Sequence, residues 1–411
     1  MASTLFTDIK EILTLRGMVK KGGRSIEDKD LSPVKNASLL VEHGKILWVG
    51  PESRRPSSKD GAKKSLTGSY VFPGWVDPHT HMVFSGNRRD EFELRNQGVT
   101  YQEIAQKGGG IQKTVQATRK ASSKELAELA QSRLSQFIKQ GVTSLEVKSG
   151  YGLNKKSEEK SLEVVSLLTK IQVVPTFLGA HGIPKEFSGE KAYLGQLKKD
   201  LLSIRTKKLS QRVDIFIEKN YFSLRGARDY LAYAKKLGFD ITIHADQLSR
   251  SQATGLGVDL GARSVDHVIC LTSKDKDKLA QSSTVGVLLP TADFYLQWDY
   301  PDALGLIERG GVVALGTDFN PGSSPTQSLS MVGFLARLKM KMKLSQVIGA
   351  MTYNGAQALG LEKQVGALLP GYDGNFFTSS QSWREMFYDL SPLEPKEVYY
   401  RGKKITRLKP S

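Results

Sequence analysis

Two histidines one residue apart, His79 and His81, end the apolar stretch that begins at Val71. A strand has a side-chain period of two, so both imidazoles leave the same face. Two imidazoles on one rigid element can clamp a divalent ion, because imidazole nitrogen suits zinc, iron and related metals. Taken alone, a His-x-His is a weak signal. The remaining histidines strengthen it. The chain has six, and His181, His244 and His267 each follow an apolar run as well. Only His43, in a His-Gly turn, reads as a surface residue. Carboxylates stand at comparable points: Glu146, Glu218, Asp266 and Asp318. Five histidines gathered at the ends of strands point to a metal-centred active site.

The elements that must position these residues are legible as a rhythm. Apolar β-like runs occur at residues 71–76, 142–147, 171–177, 213–217, 240–243, 262–265, 284–289 and 312–315. Amphipathic segments lie between them, among them 123–139, 158–168, 224–237, 250–256, 273–279 and 300–308. Strands alternating with helices predict βαβ units, and eight in one block predict a closed (β/α)8 TIM-like barrel. Such a barrel carries its chemistry at the C-terminal strand ends, where these histidines and acids fall. The first β-to-α connection is long and contains Gly108-Gly-Gly110, a stretch suited to a loop over a site. Residues 344–361 read as one helix. Residues 37–50 read as two short strands about a His-Gly turn, mirrored by a strand-turn-strand at 397–405, and residues 53–64 read as polar loop. The expected organisation is therefore residues 1–65 and 366–411 in one small β domain formed from both chain ends, with 66–365 as the barrel.

Composition bounds the function. The 411 residues suffice for a large barrel plus a small domain. One cysteine, Cys270, excludes an internal disulfide framework and favours a reducing, cytoplasmic setting. No secretory signal or membrane-length apolar run is visible. The net charge of +17 comes from scattered Lys and Arg pairs without interleaved aromatics, so no nucleic-acid or membrane partner is expected.

The pattern resembles the amidohydrolase superfamily, metal-dependent hydrolases with His-x-His on strand one, His on strands five and six, and Asp on strand eight. Here these are His79, His81, His244, His267 and Asp318. Four longer stretches are similar to the imidazolonepropionases within it. They are Phe72-Pro-Gly-Trp-Val-Asp-Pro-His-Thr-His-Met-Val-Phe-Ser-Gly-Asn-Arg88, Gly108 to Arg119, Glu146-Val-Lys-Ser-Gly-Tyr-Gly-Leu153, and Gly316-Thr-Asp-Phe-Asn-Pro-Gly322. The resemblance implies a small-molecule substrate, 4-imidazolone-5-propanoate, opened to N-formimidoyl-L-glutamate. It implies one divalent metal per chain, zinc or iron, on His79, His81, His244 and Asp318. Asp318 is then also the proton shuttle, and His267 polarises the carbonyl. Arg88 meets the propanoate, with Tyr101 completing that pocket. Tyr151, His181, Gln247, Asn320, Gly322 and Ser323 are the remaining substrate contacts. Gln247 stands where many members carry Glu, and an amide cannot act as a general base. Residues 371–377 depart from the more regular strand of many relatives. Lys148 and Glu218 are expected either as a buried ion pair or in a direct role. The assembly is left open, a homodimer included.

Overall fold

The structure is a computed structural model of the chain and describes residues 3–56, 61–99, 103–104, 109–391 and 394–405. Its strands in chain order are β1 (Thr4–Leu13), β2 (Pro33–Glu42), β3 (Lys45–Pro51), β4 (Ala62–Ser65), β5 (Tyr70–Pro73), β6 (Trp75–Asp77), β7 (Val142–Lys148) and β8 (Gln172–Ala180). They continue as β9 (Arg212–Ile217), β10 (Asp240–Ala245), β11 (Ser264–His267), β12 (Val285–Leu288), β13 (Val313–Leu315), β14 (Phe376–Ser379), β15 (Glu397–Tyr400) and β16 (Lys403–Lys404). β6 to β13 lie side by side in sequence order and pair in parallel. The ring is closed just beyond the strand ends: His81 N donates to Phe319 O at 2.9 Å and Asp318 N donates to His79 O at 3.1 Å. The expected (β/α)8 barrel is present, and the seam that shuts it carries three of the residues marked for metal binding.

A second sheet runs β16-β15-β14-β5-β1-β2-β3, with β4 also on β1, and joins both ends of the chain. Both of its outer hairpins turn on two residues of positive φ. These are His43 (50°) with Gly44 (82°), and Arg401 (51°) with Gly402 (74°). Positive φ at both central residues is the hairpin turn whose twist matches its strands.

Three sequence expectations need correction. The run 71–76 is two strands: β5 pairs with β1 and β14, while β6 begins the barrel. Gly74 is the joint, where a Cβ would lie 2.1 Å from Thr143 Oγ1, so only glycine lets the chain cross between sheets. Residues 53–64 are not all loop, since Ala62 to Lys64 pair with β1. The helix at 344–361 is two, Leu344–Ala350 and Tyr353–Leu359. Thr352 Oγ1 turns back onto Ile348 O at 2.6 Å at the break, the local competition by which Ser and Thr interrupt helices.

The barrel interior is not uniformly apolar. Glu146 and Lys148 on β7, Arg212 and Asp214 on β9, and Asp266 on β11 are all buried. Among the described residues no helix is long and apolar enough to cross a membrane.

Candidate active site

The C-terminal strand ends open into a cavity of about 660 Å³, continuous with solvent. His81, Arg88, Tyr151, His181, His244, Gln247, His267, Asp318, Asn320 and Ser323 all line it. His79 lies behind His81. Gly322 lies beneath Arg88, where a Cβ would come within 1.9 Å of the Arg88 Nη1. Tyr101 falls outside the described residues.

Imidazole nitrogens converge at the floor. His81 Nε2 is 3.2 Å from His79 Nε2 and 3.4 Å from His244 Nε2. Asp318 Oδ1 is 3.4 Å from Nε2 of both His79 and His81. The opposite edges of two of these rings, those of His79 and His244, face carboxylates. His79 Nδ1 is 2.6 Å from Asp266 Oδ2, and His244 Nδ1 is 2.9 Å from Asp214 Oδ2. A carboxylate only accepts, so Nδ1 of each ring carries the proton and Nε2 presents its lone pair inward. Three lone pairs and a carboxylate oxygen facing one point repel unless a positive charge joins them. Within the protein alone that charge falls on His79. Burial and the Lys148 ammonium oppose its protonation, but Asp266 and Asp318 outweigh them and push its pKa up to about 9. Burial drives His81 down to about 3, against the pull of Asp318. Asp318 itself is held well below the usual carboxylate range: burial raises it, but hydrogen bonds with His79 and His81 prevail. A face that must hold one positive charge amid imidazole and carboxylate donors fits a divalent cation. His79, Glu146 and Asp266 also bring ligand atoms within 4.8 Å of one another. That second cluster already holds a cation, since Lys148 Nζ lies 2.6 Å from Glu146 Oε2 and 3.5 Å from Asp266 Oδ2.

The wall is built by local turns. Asn320 folds the loop after β13 onto itself, its Oδ1 accepting from Gly322 N and Ser323 N at 2.8 Å each. Its Nδ2 donates to Asp318 O at 2.7 Å, and Ser323 Oγ reaches Asp318 Oδ2 at 3.3 Å. Arg88 donates from Nε to Glu91 Oε2 at 2.7 Å, and Glu91 Oε1 accepts Gly110 N at 3.0 Å. The glycine-rich connection is thereby tied to the arginine. Glu158 accepts three backbone N–H groups, from Gly150, Gly152 and Leu153, at 2.7–2.8 Å. This fixes the Tyr151 turn. His181 donates Nδ1–H to Gly150 O at 3.0 Å and stacks on His81, ring centroids 5.1 Å apart.

The expected Lys148–Glu218 pair does not form. Lys148 turns into the barrel, while Glu218 accepts Leu248 N and Ser249 N at 2.9 and 3.1 Å, fixing the loop after β10. Sequence reasoning also gave no role to Asp214 and Asp266, or to Phe216, Tyr221, Leu296 and Trp298, which complete the cavity. The acids carried a usable signal. Asp214 lies within the run Arg-Val-Asp-Ile-Phe-Ile of β9, and a carboxylate inside a fully buried strand needs a partner. Phe216 shares that strand, while Tyr221 and Trp298 come from loops and carried no signal.

This fold and site define a class. The amidohydrolase family model matches residues 70–405. Solved structures with the same architecture include a zinc-bound adenosine deaminase from Xanthomonas campestris, with a TM-score of 0.74 and 14% identity over 98% of this chain and 92% of that one. The E. coli guanine deaminase has a TM-score of 0.67 and 15% identity, covering 99% of both chains. At such identities the likeness is one of fold. Whole-chain sequence similarity is narrower. An imidazolonepropionase from Bdellovibrio bacteriovorus is 47% identical, covering 98% of this chain and 96% of its own length. One from Kosmotoga olearia is 37% identical, covering 97% of each. The chain belongs to the amidohydrolase family, and within it to the imidazolonepropionases.

Proposed function

We propose a division of labour among these residues for hydrolysis of the cyclic amide of 4-imidazolone-5-propanoate to N-formimidoyl-L-glutamate. The observation that carries it is the convergence of three imidazoles and Asp318 at the floor of a cavity that Arg88 also lines.

His79, His81, His244 and Asp318 would hold one divalent cation, zinc or iron, which supplies hydroxide near neutral pH by acidifying a water. Asp318 takes the proton of the attacking water and passes it to the ring nitrogen as the C–N bond breaks. Its carboxylate, held well below the usual range, is ionised and has a lone pair free for that proton. His267 donates a hydrogen bond to the carbonyl oxygen as negative charge develops. Burial, working against Asp318, holds its pKa well below the ordinary value, so it does this as a neutral imidazole. Arg88 receives the propanoate, for a guanidinium forks onto a carboxylate. Tyr151, His181 and Gln247 orient the ring, and Asn320, Gly322 and Ser323 shape the wall against the opened product. Gln247 contributes only its amide. The single cysteine supports a reducing compartment, the cytoplasm.

Turnover of 4-imidazolone-5-propanoate, assayed beside hydantoin and cytosine with the metal content measured, tests this reading. Preference for either of the latter two would reassign the substrate and with it the role of Arg88.

A further inference from the structure

Lys148 is fully buried, at 0% exposure, inside the barrel. Its ammonium is 2.6 Å from Glu146 Oε2, 2.8 Å from Asp214 Oδ2 and 3.5 Å from Asp266 Oδ2. Two of those carboxylates are the anchors of the imidazole face, Asp214 on His244 and Asp266 on His79. The backbone of Lys148 is fixed to the same face. Its N–H donates to Thr80 O at 2.9 Å, between the two histidines of the His-x-His, and Thr80 Oγ1 donates to Glu146 O at 2.6 Å. One residue thus touches the strand end that bears His79 and His81 and both acids that aim the other edges of the rings.

A lysine so placed is costly. A buried ammonium needs several strong partners merely to offset its lost hydration, and a cluster replaced as a whole by apolar side chains often folds as well or better. Without a cation between them, Asp214 and Asp266 are two buried like charges that repel and swing apart. Each would then draw off the Nδ1 edge that it holds.

We propose that Lys148 is a positioning residue: its ammonium is a fixed internal cation that pins Asp214 and Asp266 to His244 and His79 and so sets the grip of the imidazole face on its divalent ion. This rests on the proposed reading of that face. It predicts that losing the lysine loosens metal binding even when net charge is kept constant.

The test uses the full chain stripped of metal, with zinc alone as the probe. The paired substitution Lys148→Met with Glu146→Gln removes one positive and one negative charge together, so the net field at the imidazoles changes little. Zinc affinity is measured by competition with a chromophoric chelator, and the cobalt(II) form is examined by its visible spectrum. The expected result is a ten- to hundred-fold weaker zinc affinity and a shifted cobalt spectrum. Lys148→Gln, which keeps a donor to the carboxylates, should fall between this variant and the parent. Zinc affinity within about threefold of the parent and an unchanged cobalt spectrum, beside a lowered melting temperature, would make Lys148 a packing residue and overturn the inference. Failure of both variants to fold in the presence of zinc would overturn it too, because the lysine would then serve the fold. The parent chain is titrated first. If it binds no zinc, the reading of the imidazole face is what fails.

Discussion

At the scale of single residues, the proposed chemistry divides between Asp318 and Arg88. Asp318 joins the donor face through Oδ1 and the wall through Oδ2, which is where the proposed mechanism moves a proton. Asp318→Asn should lower kcat by about 10²–10⁴, read on protein whose zinc content is verified. Near-normal turnover with metal retained would put the base elsewhere, with His181 the next residue to substitute. Arg88 lines the cavity, and its proposed role is in binding. Arg88→Ala should raise KM with a smaller change in kcat, a loss of about 2–4 kcal/mol in kcat/KM for a desolvated carboxylate partner. A large fall in kcat at constant KM would contradict its assignment. The histidines and Asp318 proposed for the metal were legible in the sequence from their types and strand-end positions, whereas most of the proposed substrate contacts rested on the family resemblance. Asp266 was legible as a strand-end carboxylate but not as the partner of His79, and Asp214 was not singled out, since their use depends on which strand stands beside which. That β9 and β11 flank β10 and its His244 is a fact of the closed ring, not of any local spacing.

At the scale of elements, the loops set what the strands present. Gly322 lets the Arg88 guanidinium lie across the turn after β13, a close approach that no side chain allows. Gly322→Ala should displace Arg88, which Glu91 holds from the other side, and raise KM toward the value of Arg88→Ala. Its melting temperature should change little, and an unchanged KM would show that the arginine relocates without cost. In the second sheet, Glu397 on β15 gathers Lys64 of β4 at 2.9 Å, Lys404 of β16 at 2.6 Å, and the Tyr399 hydroxyl. Burial raises its pKa, but these partners outweigh burial and bring it down to about 2. An ordinary glutamate titrates near 4.3 in the unfolded chain. The folded-state value is the lower one, so the stabilisation is complete above about pH 4 and is lost as the pH falls toward 2. Glu397→Gln should therefore lower the urea midpoint at pH 7 and approach the parent below pH 4. A gap that stays constant across that range would remove Glu397 from the acid response. The strand and helix alternation was legible throughout, but its breaks at Gly74 and Thr352 were not. Each is decided by a neighbour distant in sequence or by a single side-chain bond, and apolar periodicity records neither.

At the scale of the whole molecule, charge organises both surface and centre. The chain as a whole carries a net charge of +17, spread over scattered Lys and Arg. The interior has the opposite balance. Glu146, Asp214, Asp266 and Asp318 outnumber Lys148 and Arg212, which lie within ion-pair distance of this chain of charges. Within the protein alone the proton on His79 offsets part of that excess, and the proposed divalent ion would take its place there. Removing that ion should leave the barrel folded, because its closure depends on backbone bonds between the ends of β6 and β13. The apoprotein should nevertheless lose turnover and stability together. With free zinc a thousand-fold above its Kd, binding contributes about 4 kcal/mol, or roughly 5 °C in melting temperature for a chain of this length. Chelation followed by dialysis should produce that drop, and one equivalent of zinc per chain should restore both activity and melting temperature. Full activity after chelation, or restoration that requires two equivalents, would contradict a single divalent ion as the balance of the interior charge.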